Sequence, residues 1–346
     1  MSTRDNRVPR VSIGLPVYNG ERYLGETLNC ILAQTFEDFE LIISDNASTD
    51  GTQAICQDYA AREPRLRYYR NEQNLGATRN YNRVFELARG EYFKWAAHDD
   101  LFGPEFVERC VEVLDRYPAL VLCYAKSDVI DEQGQNLGYD PVDLNLRWPR
   151  PHQRYAAYHQ RFRAHRNCNA VFGLIRANVL RQTPRIGNYV ASDEVLLGEL
   201  ALHGEFYEIP ETLFFRRDHL QTSVRAYRFD KRLAWFDPTK KGQLHLPVWR
   251  WFFEHAFAIK RVRMTWSERV SCYLELGRWA WLPRNRDKLY NELIVGGKYV
   301  LHPLPGPIKQ SIKFVLRYAW RLVKAASRAL RFGLSMFKRQ EYRQSG

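Results

Sequence analysis

Three short clusters in this chain hold residue types that grip a nucleotide or a cation: Pro16-Val17-Tyr18-Asn19-Gly20, Asp45-Asn46-Ala47-Ser48-Thr49-Asp50-Gly51 and His98-Asp99-Asp100. Adjacent carboxylates such as Asp99 and Asp100 suit a hard divalent cation, or they are a solvated strand end. Asp45-Asn46 is either a site or ordinary turn chemistry. Asp193 stands at the start of the apolar run DEVLLGELALH. It can cap that helix, take a proton from a hydroxyl, or do both. Arg216-Arg217-Asp218-His219 adds two guanidinium groups and an imidazole that is either a cation ligand or a structural residue. His159, Arg161, Arg163 and Arg166 read as a solvated basic face.

The three clusters close three apolar runs, Val11–Pro16, Phe39–Ser44 and Gly90–Ala97. Helical periods fill residues 21–34, 50–62 and 76–89, and a further strand is predicted at Leu66–Arg70. Such alternation predicts βαβ units and a parallel sheet, whose ligands bind beyond the carboxyl ends of the strands. A helix from residue 104 leads to a strand at Leu120–Tyr124. Residues 140–166 show little periodicity and predict a loop with an irregular helix. Strands are expected at Ala170–Ile175, Phe206–Ile209 and Leu213–Phe215, with helices over 176–182 and 193–203.

The chain has 346 residues, 45% of them hydrophobic, 26% charged, with a net charge of +13. That composition excludes a wholly disordered chain, and the charge favours anionic partners. Six cysteines form no CxxC pair, which argues against a zinc ribbon or a dithiol redox motif. They are expected to be reduced, in a cytoplasmic protein. Residues 1–10 are polar and Val11–Val17 is too short for a secretory core, so no signal peptide is expected.

The segments VSIGLPVYNGERYLGETLNCILAQTFEDFELIISDNASTDGT, NEQNLGATRNYNRVFELARGEYFKWAAHDD, SDEVLLGELALHG and RRDHLQTS, in that order, resemble the family 2 glycosyltransferases. The resemblance covers about residues 8–225. It implies an α/β GT-A fold with a Rossmann-like, mostly parallel sheet, a nucleotide-diphosphate sugar donor, a divalent metal (Mn²⁺ or Mg²⁺) and inversion at the anomeric carbon. Pro16, Tyr18, Asn19 and Glu21 would line the base and ribose. Asp45, with Asn46, would read a uracil or thymine ring, making the donor a UDP- or dTDP-sugar. Gly76 and Arg79 would lie at the diphosphate, joined by Arg217. His98, Asp99 and Asp100 match the acidic metal motif, whose usual first Asp is Ala97 here; Asp99 and His219 would hold the metal. The Arg expected before Asn82 is replaced by Tyr81. Asp193 would be the catalytic base.

The resemblance places the catalytic domain at 1–230, with a nucleotide half at 8–125 and an acceptor half at 126–230. Beyond it, aromatics crowd residues 231–305 and predict a helical extension. Residues 306–346 then predict a basic amphipathic helix, with Lys309, Lys313, Arg317, Arg321 and Lys324 along one side. A helix of that kind can lie on an anionic bilayer, or pack on the domain with a solvated basic face. The first choice predicts a peripheral protein on the cytoplasmic face of the membrane, with a glycan or lipid-linked acceptor. No known nucleic-acid module is present, so no nucleic-acid partner is expected. An inactive binding protein on the same fold is the alternative, and Ala97 is the residue that favours it.

Overall fold

The structure is a computed structural model and describes residues 8–141, 143–165, 167–222, 225, 235–240 and 243–301. The expected basic helix over 306–346 lies outside the described residues.

One sheet organises the catalytic part. Its strands are β1 (Val11–Val17), β2 (Phe39–Asp45), β3 (Leu66–Arg70), β4 (Tyr92–Trp95), β5 (Leu101–Phe102), β6 (Leu120–Ile130), β7 (Asn136–Asp140), β8 (Leu174–Arg176) and β9 (Glu205–Arg217). They lie in the order β3-β2-β1-β4-β8-β6-β9-β5, with β7 on β6. The block β3-β2-β1-β4 is parallel, as the alternation of strands and helices requires. The block is joined to the rest through β8, which runs antiparallel to both β4 and β6.

Every residue of β1 and β2 is buried, because helices cover both faces of the sheet. On one face α1 (Glu21–Leu32), α2 (Thr52–Arg62) and α4 (Phe106–Arg116) pack on Val11, Ile13, Leu15, Leu41 and Ile43. On the other, α3 (Ala77–Glu86), α5 (Pro151–His165) and α7 (Ser192–His203) pack on Ile42, Phe93, Trp95 and Tyr124. A Cβ at Gly14 would meet Val84 at 2.7 Å, so glycine there lets α3 lie close to the sheet.

Three expectations need correction. Residues 151–165 form a regular helix, α5, rather than an irregular one. Its buried face is Arg154, Tyr155, Tyr158 and His159, whose polar atoms hide the period from a hydrophobicity reading. His159 is thus buried, not part of a solvated basic face. The strand expected at 170–175 is a 3₁₀ turn, Asn169–Phe172, followed by β8, then the short helix α6 (Ala177–Leu180). The two strands expected within 206–215 are one, β9; Pro210 falls where its register on β6 shifts, and an irregularity absorbs a residue that cannot donate to a ladder.

The aromatic-rich stretch folds as α8 (Pro247–Arg261), α9 (Trp266–Trp281) and α10 (Pro283–Leu301). The expected boundary at residue 230 is not a break in packing. Arg250–Ala280 belongs to the same compact unit as the sheet, because Trp251, Ile259, Cys272 and Leu276 share a core with Tyr155, Val195 and Leu202. Leu244–Trp249 and the described residues from Trp281 onward belong to a second unit. Within it, the Glu292 carboxylate accepts from the backbone N–H groups of Val248 and Trp249. Among the described residues no helix is long and apolar enough to cross a membrane.

Candidate active site

After β4 the chain leaves the sheet at His98-Asp99-Asp100, and neighbours on two sides fix this turn. From α1, the Thr27 hydroxyl donates to the carbonyls of His98 (2.9 Å) and Asp100 (3.2 Å). From the end of β9, Arg217 Nε donates to the Asp99 carbonyl and its backbone N–H to Asp100 Oδ1, both at 2.9 Å. The rest of the Arg217 guanidinium bonds the carbonyls of Asp131 and Glu132 and, at 2.7 Å, Glu26. This arginine is 2% exposed and its donors are spent on the acidic turn, the carbonyls of Asp131 and Glu132, and Glu26. The expected contact of Arg217 with the donor is therefore replaced by a positioning role. His98 packs against Gly20, where a Cβ would meet its ring at 2.7 Å.

The turn presents Asp99 to His219, with Oδ2 and Nε2 2.9 Å apart. Burial opposes the charge on Asp99, but the neighbouring His98 and the hydrogen bond from His219 outweigh it and hold the carboxyl below the usual range. Burial, and then the charge of Asp99, push Asp100 up to about 8. The two carboxyls thus divide the work: Asp99 stays ionised and Asp100 accepts from the Arg217 backbone N–H.

Asp99 and His219 supply one oxygen and one nitrogen donor at the same point. Among the described residues no group of three or more His, Cys, Asp or Glu could hold a metal. A two-donor site does not fit a closed structural zinc site. It does fit Mg²⁺ or Mn²⁺, which take most of their coordination from substrate phosphates and water. The backbone N–H of Gln221 donates to His219 Nδ1 at 3.3 Å, so Nε2 carries the proton facing Asp99. A cation at Nε2 would displace that proton.

The loops after β1 and β2 are laced together. Asn19, at φ 52°, accepts the Thr49 N–H on its side chain (2.9 Å), and its own N–H bonds Ser48 Oγ. Glu21 accepts the Gly51 N–H at 2.8 Å. Asp45 has no exposed surface: Oδ1 accepts the Ser48 N–H, and Oδ2 accepts from Tyr68 and pairs with Arg70. Asn46 bonds Asn71, Asn74 and the Leu75 N–H. Asn19, Glu21, Asp45 and Asn46 thus hold the walls of the loops. Pro16 lies in β1, and Tyr18, 41% exposed, stands open at the rim. Gly76 has φ +82° and no room for a side chain beneath Phe236. Arg79 is exposed on α3.

Opposite these loops, α7 starts at Ala191, whose φ of 67° is left-handed and turns the chain into the helix. Asp193 is therefore inside the first turn and is not the cap. Its neighbour Glu194 is held from below: Tyr158 donates to the Glu194 carbonyl (2.6 Å) and Trp251 Nε1 to its carboxylate (3.1 Å). Burial, with the charges of Asp193 and Glu194 and a hydrogen bond to Asp193, pushes the Cys168 thiol well above its usual value. At the far end of α7, Arg154 donates to the carbonyls of Ala201 and Leu202.

Tyr81 shows that these parts converge. Burial raises its phenol, and so in turn do the charges of Asp99, Asp100 and Asp193. It feels all three charges, at the position where the sequence resemblance has an arginine. Sequence reasoning noted that substitution without placing the residue in the site. It missed Thr27, Cys168 and Trp251, which carry no local signal.

Residues 12–183 match the family model described as glycosyl transferase family 2. An uncharacterized glycosyltransferase of Rickettsia felis is 34% identical over 142 residues, 40% of this chain and 23% of that protein. Chondroitin synthase of Escherichia coli is 35% identical over 143 residues, 41% of this chain and 20% of that protein. The chain thus spans less than a quarter of the length of these two relatives. The structure of S. aureus TarS with UDP-GlcNAc superposes with a TM-score of 0.60 at 15% identity, covering 84% of this chain and 81% of that one, a likeness of fold. The mixed α/β sheet is that of the GT-A glycosyltransferases, and the chain belongs to glycosyl transferase family 2.

Proposed function

We propose that this chain transfers a sugar, with inversion, from a UDP- or dTDP-sugar to a hydroxyl of a glycan or lipid-linked acceptor in cell-surface polysaccharide or glycolipid synthesis. The observations that support the reading are that Asp99 and His219 meet at 2.9 Å in the turn after β4, and that Tyr81 on α3 feels the charges of both Asp99 and Asp193. Asp193 takes the proton of the acceptor hydroxyl as its oxygen bonds to the anomeric carbon. The bond from that carbon to the diphosphate breaks, and the nucleotide leaves with the electron pair. Asp99 and His219 would hold Mn²⁺ or Mg²⁺, which when bound offsets charge on the diphosphate. Asp45 acts on the nucleotide through the loop it braces, and Tyr18 lies at the rim to cover it.

Membrane attachment through the basic segment 306–346, on the cytoplasmic face, belongs to the same proposal. Nine Lys and Arg between residues 308 and 339, with no Asp or Glu, support it.

The test is release of UDP or dTDP from a panel of nucleotide sugars, with Mn²⁺ or with EDTA, for the wild type and Asp99→Ala. Metal-dependent release from one donor, lost in the variant, is the expected result. No release from any donor with lipid-linked acceptor present would instead identify an inactive binding protein, with Ala97 as its mark.

A further inference from the structure

Helix α9 is apolar on two opposite sides. Its inward side, Cys272, Leu276 and Trp279, packs on the α8 side of the catalytic unit, where Trp279 stacks on Trp251 at 4.1 Å. Its outward side carries Trp266, Val270 and Leu274 at steps of four, 77%, 38% and 60% exposed. A capping box opens the helix one residue earlier: Thr265 N–H donates to Glu268 at 3.0 Å and Glu268 N–H to Thr265 Oγ1 at 3.4 Å. The Tyr273 hydroxyl donates to the Ala256 carbonyl at 3.3 Å, which ties α9 to α8 and brings the exposed Phe257 into the same face.

The charges around this face are sorted by sign. The acidic residues of the stretch point inward or are largely covered: Glu268 and Glu275 are buried, and the Glu254 side chain is 13% exposed. Lys260, Arg263 and Arg278 are exposed. A row of large apolar side chains rimmed by cations is the pattern of a surface that lies in a bilayer interface, with tryptophan at headgroup level. Two other occupants suit it less. In a two-fold dimer the same cations would face their own copies. The chain's segment 308–339 carries Lys and Arg with no Asp or Glu, so it would also meet like charge.

We propose that the outward face of α8 and α9 seats on an anionic lipid bilayer. Trp266, Val270 and Leu274 enter the boundary between headgroups and acyl chains, and Lys260, Arg263 and Arg278 meet lipid phosphates. The proposal deepens the functional reading by placing the membrane surface on described residues, and it is tested without turnover.

The experiment is co-sedimentation of the full chain with vesicles of phosphatidylcholine alone or mixed with phosphatidylglycerol. It compares the wild type with the double variant Trp266→Ser, Leu274→Ser. Both positions are exposed, so the variant should keep its circular dichroism and melting temperature. The expected result is binding to the anionic vesicles only, weakened by salt and at least about tenfold weaker in the variant. Binding that the variant retains in full would overturn the proposal and assign attachment to the basic segment. So would a wild-type dimer, seen by sedimentation velocity, that the variant dissolves without any change in vesicle binding. Absence of wild-type binding to either vesicle would also overturn it. Nucleotide release measured without vesicles should be equal in the two proteins; if it is absent from both, the enzyme reading fails and the vesicle result still stands.

Discussion

The loops after β1 and β2, which we propose to face the nucleotide, and α7, which carries the proposed base Asp193, are held in opposite ways. On the nucleotide side, these two loops are braced within the same βαβ block. Asn19 and Glu21 hold the loop after β2, and Asp45 and Asn46 hold their own turn and the segment after β3. On the base side, α7 is held by elements distant in sequence. Tyr158 and Trp251 reach Glu194, and Arg261 makes a bidentate pair with the buried Glu199 at 2.6 and 2.9 Å. Buried polar atoms with no partner among the described residues also gather on this side, at Ser192 Oγ, His159 Nε2, His203 Nε2 and His255 Nε2. The loops after β1 and β2 are thus braced locally, whereas α7 depends on long-range packing.

The largest expected break comes from Asp99→Asn, which keeps shape and removes the charge of the acidic turn. We expect donor turnover to fall by about 10²–10³-fold, measured as nucleotide release at saturating Mn²⁺. Binding of the donor should weaken as well, because Asp99 is one of the two groups proposed to hold the metal at the diphosphate.

Removal of Trp251 from the base side separates position from chemistry. Trp251→Phe leaves the Glu194 carboxylate without its indole donor, and should cost about 1–3 kcal/mol of stability in a denaturant melt. Transfer to acceptor should slow while donor affinity stays near wild type. Equal losses of both would mean that the two halves are not separately held.

The buried imidazoles give the base side a pH dependence. Burial, with a smaller contribution from Arg163, pulls His159 down from 6.5 to about 3, and burial carries His255 well below 6.5. Both are neutral when folded and gain a proton more readily when unfolded. Stability is therefore full above about pH 6.5 and is lost as pH falls toward 3. His159→Phe should flatten the fall in melting temperature across that window; an unchanged slope would rule out His159 as its source.

The smallest effect runs the other way. Ala191 pays for a left-handed conformation at the start of α7, so Ala191→Gly should stabilise by up to about 1 kcal/mol, less what glycine adds to the unfolded chain's entropy. A destabilised variant would show that the Ala191 methyl contributes more packing than strain.

The same contrast decides what the sequence could tell. Val11–Val17 and Phe39–Asp45 were legible because fully buried parallel strands are continuous apolar runs closed by polar turns. His98-Asp99-Asp100, Asp193 and His219 were legible because charged residues clustered at strand and helix ends. The partners that hold them were not. Thr27, Arg217 and Trp251 lie 71, 118 and 57 residues from the groups they bond, and spacing along the chain says nothing about such pairs. Helix α5 was hidden because its buried face is built of Arg, Tyr and His. The loop bonds of Asp45 and Asn46 were not legible because a carboxylate or amide at a strand end looks the same whether it faces a ligand or its own loop.

The central claim is that Asp99 and Asp193 serve one site in different steps. Donor affinity and sugar transfer, measured together for the wild type, Asp99→Asn and Asp193→Asn, test it most directly. Asp193→Asn should bind the nucleotide sugar as the wild type does and transfer it about 10²–10⁴-fold more slowly, while Asp99→Asn loses both. Transfer at the wild-type rate by Asp193→Asn, with Asp99→Asn inactive, would contradict the account and put the base elsewhere.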